Sequence, residues 1–292
     1  MDDIKTSVER ADILVEALPY IRRFFNKTVV IKYGGHAMVD EELKNNFARD
    51  VVLMKYIGIN PVVVHGGGPQ IGSLLKKLGK ESKFIQGMRV TDEAAVQVVE
   101  RVLSQEINPQ IVNTINGLGG KAKGFSGTEI FTCRKLWLAG AGGEQLDPGF
   151  VGAVTAVKTE PLRECLRHGI IPVVSPTARG QDGQVYNCNA DVAAAEAAIA
   201  LQAQRLVFMS DVPGLLRDAK DPQSLISRLG AGEVEGLKKS GVIDRGMIPK
   251  VDSAVAALRA GVGEVSFVDG RVPHAVLLAA FAEEALGTEI VL

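Results

Sequence analysis

The sequence predicts an α/β protein, an open αβα sandwich with a mainly parallel central sheet in two lobes. Two observations predict it. Short Val/Ile-rich runs recur without polar alternation, as expected for parallel strands covered on both faces, and helical patterns lie between them. Two of those runs lead straight into glycine turns, Val29-Val30-Ile31-Lys32-Tyr33-Gly34-Gly35 and Pro61-Val62-Val63-Val64-His65-Gly66-Gly67-Gly68. Strand, glycine turn and helix together offer backbone N–H groups and a positive helix end to an anion. A phosphate or carboxylate ligand is the first functional expectation.

In chain order, residues 11–25 read as an amphipathic helix. Ala11, Leu14, Val15, Leu18, Ile21 and Phe25 recur at helical spacing, and Pro19 is expected to kink it. It either packs on its own domain or serves as an oligomer arm ahead of the first core strand. Strands are expected at 28–32, 61–65, 170–174, 205–210 and 264–268. Helices are expected near 40–57, 69–80, 91–104, 160–168, 189–203, 249–261 and 273–285. Pro69 suits a first helical position, and Thr91-Asp92-Glu93 reads as an N-cap with an acidic first turn. The glycine-rich stretch 120–157 breaks the rhythm. Its β-like pieces at 129–134 and 151–157 suggest hairpins over the substrate face.

The chain has 292 residues, 46% of them hydrophobic, enough for one large domain or two lobes. Its 33 basic and 34 acidic residues give no basic excess, so a nucleic-acid partner is not expected. Cys133, Cys165 and Cys188 show no metal-ligand spacing and read as packing residues of a reduced, cytoplasmic protein. The N-terminus has no apolar core of a signal peptide, and no apolar run is long enough to span a membrane.

Several chemistries can be tested directly. There is no G-x-x-x-x-G-K-[ST] and no G-x-G-x-x-G, which argues against a P-loop enzyme and a dinucleotide-binding unit. Gly-x-Ser-x-Gly is absent, and the histidines sit in no nucleophile context; His65 reads as a packed residue. Four further segments accompany the glycine turns: Gly87-Met88-Arg89-Val90-Thr91, Asn187-Cys188-Asn189-Ala190-Asp191, Ser210-Asp211-Val212-Pro213-Gly214 and Gly246-Met247-Ile248-Pro249-Lys250. Each has an ordinary explanation, as a solvated arginine, an N-cap, a turn or a helix start. Lys250 is the exception, because a lysine in a first helical turn opposes the dipole unless an anion is near.

These stretches, with Asp269-Gly270-Arg271-Val272-Pro273-His274, run in one order from about residue 28 to the C-terminus. In that order the chain resembles the amino acid kinase family. The Gly-Met-Arg-Val-Thr and Asp-Gly-Arg-x-Pro-His segments resemble its acetylglutamate branch. The resemblance implies MgATP-dependent phosphorylation of the side-chain carboxylate of N-acetyl-L-glutamate, within arginine biosynthesis. It implies that Lys32 and Lys250 stabilise the transition state and that Asp191 orients both. Gly35, Gly67 and Gly68 would contact phosphoryl group and substrate through N–H groups, Arg89 the α-carboxylate, and Asn187 the amino-acid end. Ser210, Asp211 and Gly214 would border ATP, with Mg²⁺ held by phosphates and water rather than by a protein metal site.

The resemblance also implies a division into an oligomerising helix (1–26), a substrate-binding and dimerising lobe (27–198) and an ATP lobe (199–292). It further implies a hexameric trimer of dimers, inhibited by L-arginine bound near Glu284 and Gly287. Two departures stand out: the 124–129 loop keeps only a Ser-Gly core of the family's lid sequence, and Ala285 stands where arginine-regulated relatives often carry glycine. A kinase for another acyl substrate, such as an acetylated or carrier-linked aminoadipate, and a non-catalytic sensor on the same fold are the rival readings.

Overall fold

The computed structural model describes residues 2–140, 142–243, 246–281 and 286–292. An eight-stranded sheet crosses it in the order Ala122–Phe125, Ile171–Val174, Asn60–His65, Thr28–Tyr33, Arg205–Ser210, Glu264–Asp269, Gly287–Val291, Arg228–Gly230. The first six run parallel, and Gly287–Val291 turns antiparallel against Glu264–Asp269. The first strand in the chain, Thr28–Tyr33, pairs on one side with Asn60–His65 and on the other with Arg205–Ser210, so one sheet joins the earlier and later parts of the chain.

The period of two along each strand splits the core. Val29, Ile31 and Tyr33 join a cluster with Phe47, Val51 and Ile115 on one face. Val30, Val62 and Val64 join the opposite cluster with Ala193, Ala194, Ala197 and Val251. Lys32 follows Val30 in phase, so it is aimed at the face covered by helix Ala190–Leu201. That helix is rich in alanine, which lets its backbone sit close to the sheet. His65 falls on the other face. Its Nδ1 donates to the Gly66 carbonyl at 2.7 Å, leaving Nε2 to accept from buried Asn108 at 3.3 Å. Burial pushes its pKa down to about 4 and keeps it neutral, so the packed reading of His65 holds.

Expected strands and helices recur with ends shifted by a few residues, and of the helix expected at 273–285 the structure shows Ala275–Phe281, residues 282–285 lying outside the described residues. The expected helix at 91–104 differs more. It starts at Glu93 with the Asp92 carboxylate capping Ala95 N at 2.6 Å, loosens into a π-helical stretch over Arg101–Ile107, and continues as helix Asn108–Gly117. The hairpin region forms a second sheet, in which Phe131–Lys135 and Gly152–Val157 pair antiparallel through a bulge.

The N-terminal helix begins earlier than expected, at Asp2, and breaks between Glu16 and Leu18, just before Pro19. Phe24, not Phe25, enters the core. It is fully buried, with the guanidiniums of Arg23 and Arg205 5.4 and 5.0 Å from its ring centroid. Arg23 pairs with Glu264, and Tyr20 meets Phe281 edge-on. The outer segment stays bare: Ile4, Val8, Ile13, Leu14 and Val15 are each more than half exposed.

Candidate active site

Three helices begin at the carboxyl edge of the sheet: Gly68–Lys77, Ala190–Leu201 and Ile248–Arg259. Between the first two and the Met88–Arg89 strand lies a cleft of about 280 Å³; Lys250, Ser210, Asp211 and Gly214 are not among the residues that line it. Lys32, Gly35, Gly67, Gly68, Arg89, Asn187 and Asp191 all line it.

Asp191 is the centre. Asn189 caps its helix, accepting from Asp191 N at 2.8 Å and Val192 N at 3.3 Å, and so fixes Asp191 in the first turn. Lys250, in the first turn of helix Ile248–Arg259, donates to Oδ2 at 2.6 Å. Lys32 Nζ stands 3.2 Å from Oδ1, a close charge pair without hydrogen-bond alignment, since Oδ1 makes no hydrogen bond. Burial alone would raise the pKa of Asp191, but the ammonium groups of Lys32 and Lys250 outweigh it and hold the carboxyl below its ordinary range. Burial pulls Lys32 below the ordinary lysine value, opposed by Asp191 and assisted by Lys250. Two lysines thus share one buried carboxylate on the wall of the cleft.

The glycines are required by close approaches. A Cβ on Gly34 would stand 2.5 Å from Lys32 Nζ, and one on Gly67 would stand 2.6 Å from both Leu103 and Ile107. Gly35 has φ of +72°, and a Cβ there would meet Asp211 Oδ1 at 2.3 Å. That same oxygen accepts from His36 N at 2.5 Å, pinning the first glycine turn to the segment after strand Arg205–Ser210. Gly35→Ala should therefore cost about 1–3 kcal/mol of stability, the scale of forcing a side chain into a left-handed conformation. A lower urea midpoint together with a raised KM for ATP is the expected result; an unchanged midpoint would show that the turn relaxes without cost.

Arg89 donates through Nη2 to the Gly68 carbonyl at 3.0 Å and through Nη1 to Ser82 Oγ, with its guanidinium 4.8 Å from the Phe84 ring centroid. Burial lowers its pKa without discharging it. Asn187 donates to Thr91 Oγ1 at 3.3 Å. Ser210 ends its strand and Asp211 follows it beside the first glycine turn, and Gly270 N donates to the Ser210 carbonyl at 2.8 Å. Gly214 faces Gly287–Val291: a Cβ there would stand 2.6 Å from Thr288 Oγ1. Among the described residues no group of three His, Cys, Asp or Glu could hold a metal.

The cleft also holds Met88, Leu103, Val151, Pro176, Cys188 and Asn189, which carried no assigned role in the sequence. Asn189 could have been found, since it stands two residues before Asp191, where an N-cap belongs. Glu284 and Ala285 lie outside the described residues. Gly287 lines a separate cavity of about 400 Å³ with Arg23, Arg205, Glu264 and Glu289.

The amino acid kinase family model matches residues 27–269. An acetylglutamate kinase of Syntrophus aciditrophicus (strain SB) is 50% identical over 299 residues, covering 100% of both chains. The crystal structure of N-acetylglutamate synthase from Neisseria gonorrhoeae, complexed with coenzyme A and N-acetyl-glutamate, superposes with a TM-score of 0.83 at 26% identity. That match covers 96% of this chain but 62% of the synthase, so the chain spans less than two thirds of it. The same synthase complexed with coenzyme A and L-arginine gives a TM-score of 0.78 at 27% identity, covering 94% of this chain and 64% of that one. The chain belongs to the amino acid kinase family, in its acetylglutamate kinase branch.

Proposed function

We propose that the chain catalyses ATP + N-acetyl-L-glutamate → ADP + N-acetyl-L-glutamyl 5-phosphate, a step of arginine biosynthesis. The observation that carries this is the pair of lysines held on the two oxygens of one buried aspartate, at a cleft bordered by two glycine turns. The acceptor carboxylate, with a reference pKa of about 4.3, is ionised at neutral pH and needs no general base. What the reaction needs is positive charge. One carboxylate oxygen bonds to the γ-phosphorus while the bridge to ADP breaks, and negative charge spreads over the transferring group. Lys32 and Lys250 meet that charge, and Asp191 keeps both aimed by charge-assisted contacts.

The amides of Gly35, Gly67 and Gly68 hold phosphoryl and substrate oxygens. Arg89 takes the α-carboxylate, and Asn187 the amino-acid end. Ser210, Asp211 and the turn to Gly214 border the nucleotide in the lobe from residue 199 onward, with the substrate lobe spanning 27–198. Mg²⁺ would arrive with ATP, held by phosphates and water. Its chemistry is to neutralise phosphate charge. The test is ADP release with and without N-acetyl-L-glutamate, with hydroxylamine trapping the acyl phosphate as a hydroxamate. ADP release independent of acetylglutamate, or hydroxamate formed only with an aminoadipate analogue, overturns the assignment.

For assembly, we propose that the bare helix Asp2–Glu16 interlaces with its counterpart in a neighbouring dimer, giving a hexamer. Its exposed Ile4, Val8, Ile13, Leu14 and Val15 need cover. L-Arginine would bind in the 400 Å³ cavity beside Gly287, where helix Leu18–Phe24 brings Arg23 and the sheet brings Glu264 and Glu289. Two linked sites across a subunit interface are what feedback inhibition requires. Deleting the bare helix up to Glu16, which leaves Phe24 in the core, should give an active dimer that no longer responds to arginine. Sedimentation of the full chain as a dimer alone, with activity indifferent to arginine, overturns this.

A further inference from the structure

We propose that the cavity behind the two glycine turns is a second ligand site, taking an uncharged flat heteroaromatic ring with an N–H donor, and that its occupation weakens substrate binding. The cavity measures about 490 Å³, larger than the 280 Å³ cleft, and shares no lining residue with it. It lies among the side chains of the sheet face opposite to that of Lys32. Tyr33, the next residue in the strand, lines it together with helices Glu41–Tyr56 and Asn108–Gly117.

The floor is apolar. Met38, Phe47, Ala48, Ile107 and Ile111 line it beside Tyr33, and all six are buried. The Tyr33 ring stacks on Phe47 with 3.7 Å between centroids. One polar atom interrupts this wall: Gln70 Oε1 is buried and has no hydrogen-bond partner among the described residues. An orphaned buried acceptor calls for a donor from a ligand. At the rim the Lys44 ammonium pairs with the Glu41 carboxylate at 2.7 Å, so no net charge there selects an ion. An apolar bed, one buried acceptor and a neutral rim fit a flat ring carrying N–H and disfavour phosphates and carboxylates. Apolar cavities of about 150 Å³ already hold benzene, so this one has room for a fused two-ring heterocycle.

The cavity and the cleft meet through shared walls. Ile107 lines the cavity and also backs the second glycine turn, where a Cβ on Gly67 would stand 2.6 Å from its Cδ1. Gln70 sits in the first turn of helix Gly68–Lys77, between the cleft-lining Pro69 and Ile71. Tyr33 likewise stands between the cleft-lining Lys32 and Gly34. A ring wedged against Ile107 and Gln70 presses on the turn whose amides hold the substrate, and a close-packed contact transmits that pressure. Coupling is reciprocal, so the ring and N-acetyl-L-glutamate weaken each other by one factor. The coupling rests on the substrate assignment; binding in the cavity does not.

Indole is the probe, used with the full-length chain. N-Methylindole, with the same ring but no donor, is the control. A soaked crystal should show indole between Phe47 and Gln70. Titration calorimetry should show N-methylindole binding about tenfold more weakly, the weight of one buried hydrogen bond. Gln70→Met keeps the bulk and removes the acceptor, so it should weaken indole by a similar factor and bind both rings alike. Saturating acetylglutamate should weaken indole by about fivefold or more, the low end of such couplings. Failure of indole to bind, indole seated elsewhere, or equal affinity of the unaltered chain for the two rings overturns the site. Indole seated in the cavity with an affinity that bound acetylglutamate leaves unchanged overturns the coupling. If acetylglutamate itself does not bind, the functional reading fails, and the comparison of the two rings still decides the site. That comparison uses the unaltered chain, so it stands even if Gln70→Met misfolds.

Discussion

Lys250→Ala and Lys32→Ala should each lower kcat by about a hundredfold or more, the scale of losing one preorganised transition-state donor. The two lysines approach one carboxylate from different elements, Lys32 from a central strand and Lys250 from a helix start. Neither fills the hydrophobic core. In either variant Asp191 keeps the other lysine, so its buried charge is not orphaned and the fold should persist. KM for both substrates should change less than kcat, because the lost interaction strengthens as charge develops. Burial also sets a pH signature. Lys32 titrates below the ordinary lysine value, and only its protonated form serves. Activity should therefore decline with rising pH before an ordinary lysine would discharge, and Lys32→Arg should move that decline upward. Near-wild-type kcat in a folded Lys→Ala variant overturns the assignment.

How much of this was legible follows from how local each signal is. Lys32, Gly35, Gly67 and Gly68 stand on strand-to-turn junctions whose pattern lies within eight residues. Asp191 was marked by the Asn-x-Asn-x-Asp run, where both readings hold at once: Asn189 caps the helix while Asp191 takes the lysines. The π-helical stretch Arg101–Ile107 was not legible, because a hydrogen-bond register has no residue signature of its own. Yet Leu103 and Ile107 from that stretch are what Gly67 packs against. The strands Ala122–Phe125, Thr177–Gly180 and Val185–Asn187 are too short for a periodic signal and are set by their neighbours. The Phe24-for-Phe25 slip has the same origin. Two adjacent aromatics look alike until Arg23, Arg205 and Glu264 select which is covered.

Arg89→Lys should raise KM for N-acetyl-L-glutamate by about tenfold to a hundredfold, with KM for ATP little changed. Among the described residues, Arg89 pairs with no carboxylate. Its fork is held by two neutral acceptors, the Gly68 carbonyl and Ser82 Oγ, and steadied on the Phe84 ring. Its burial lowers its pKa, which measures how poorly its charge is solvated there. A half-buried cation without a counter-ion, beside an N–H-rich turn, is a site awaiting an anion. The guanidinium presents two parallel donors to a carboxylate, whereas an ammonium on a flexible stem presents a point charge, so lysine keeps the charge but loses the geometry. Hydrogen bonds to charged groups are worth about 1.5–3 kcal/mol, which sets the range. Arg89→Ala should raise KM further, since the charge goes as well. The α-amide of acetylglutamate supplies the control: a substrate whose α-carboxylate is replaced by the neutral amide should bind wild type and Arg89→Lys almost equally. If the variant instead raised only the KM for ATP, Arg89 would belong to the nucleotide side and the division of the cleft between the two lobes would be reversed.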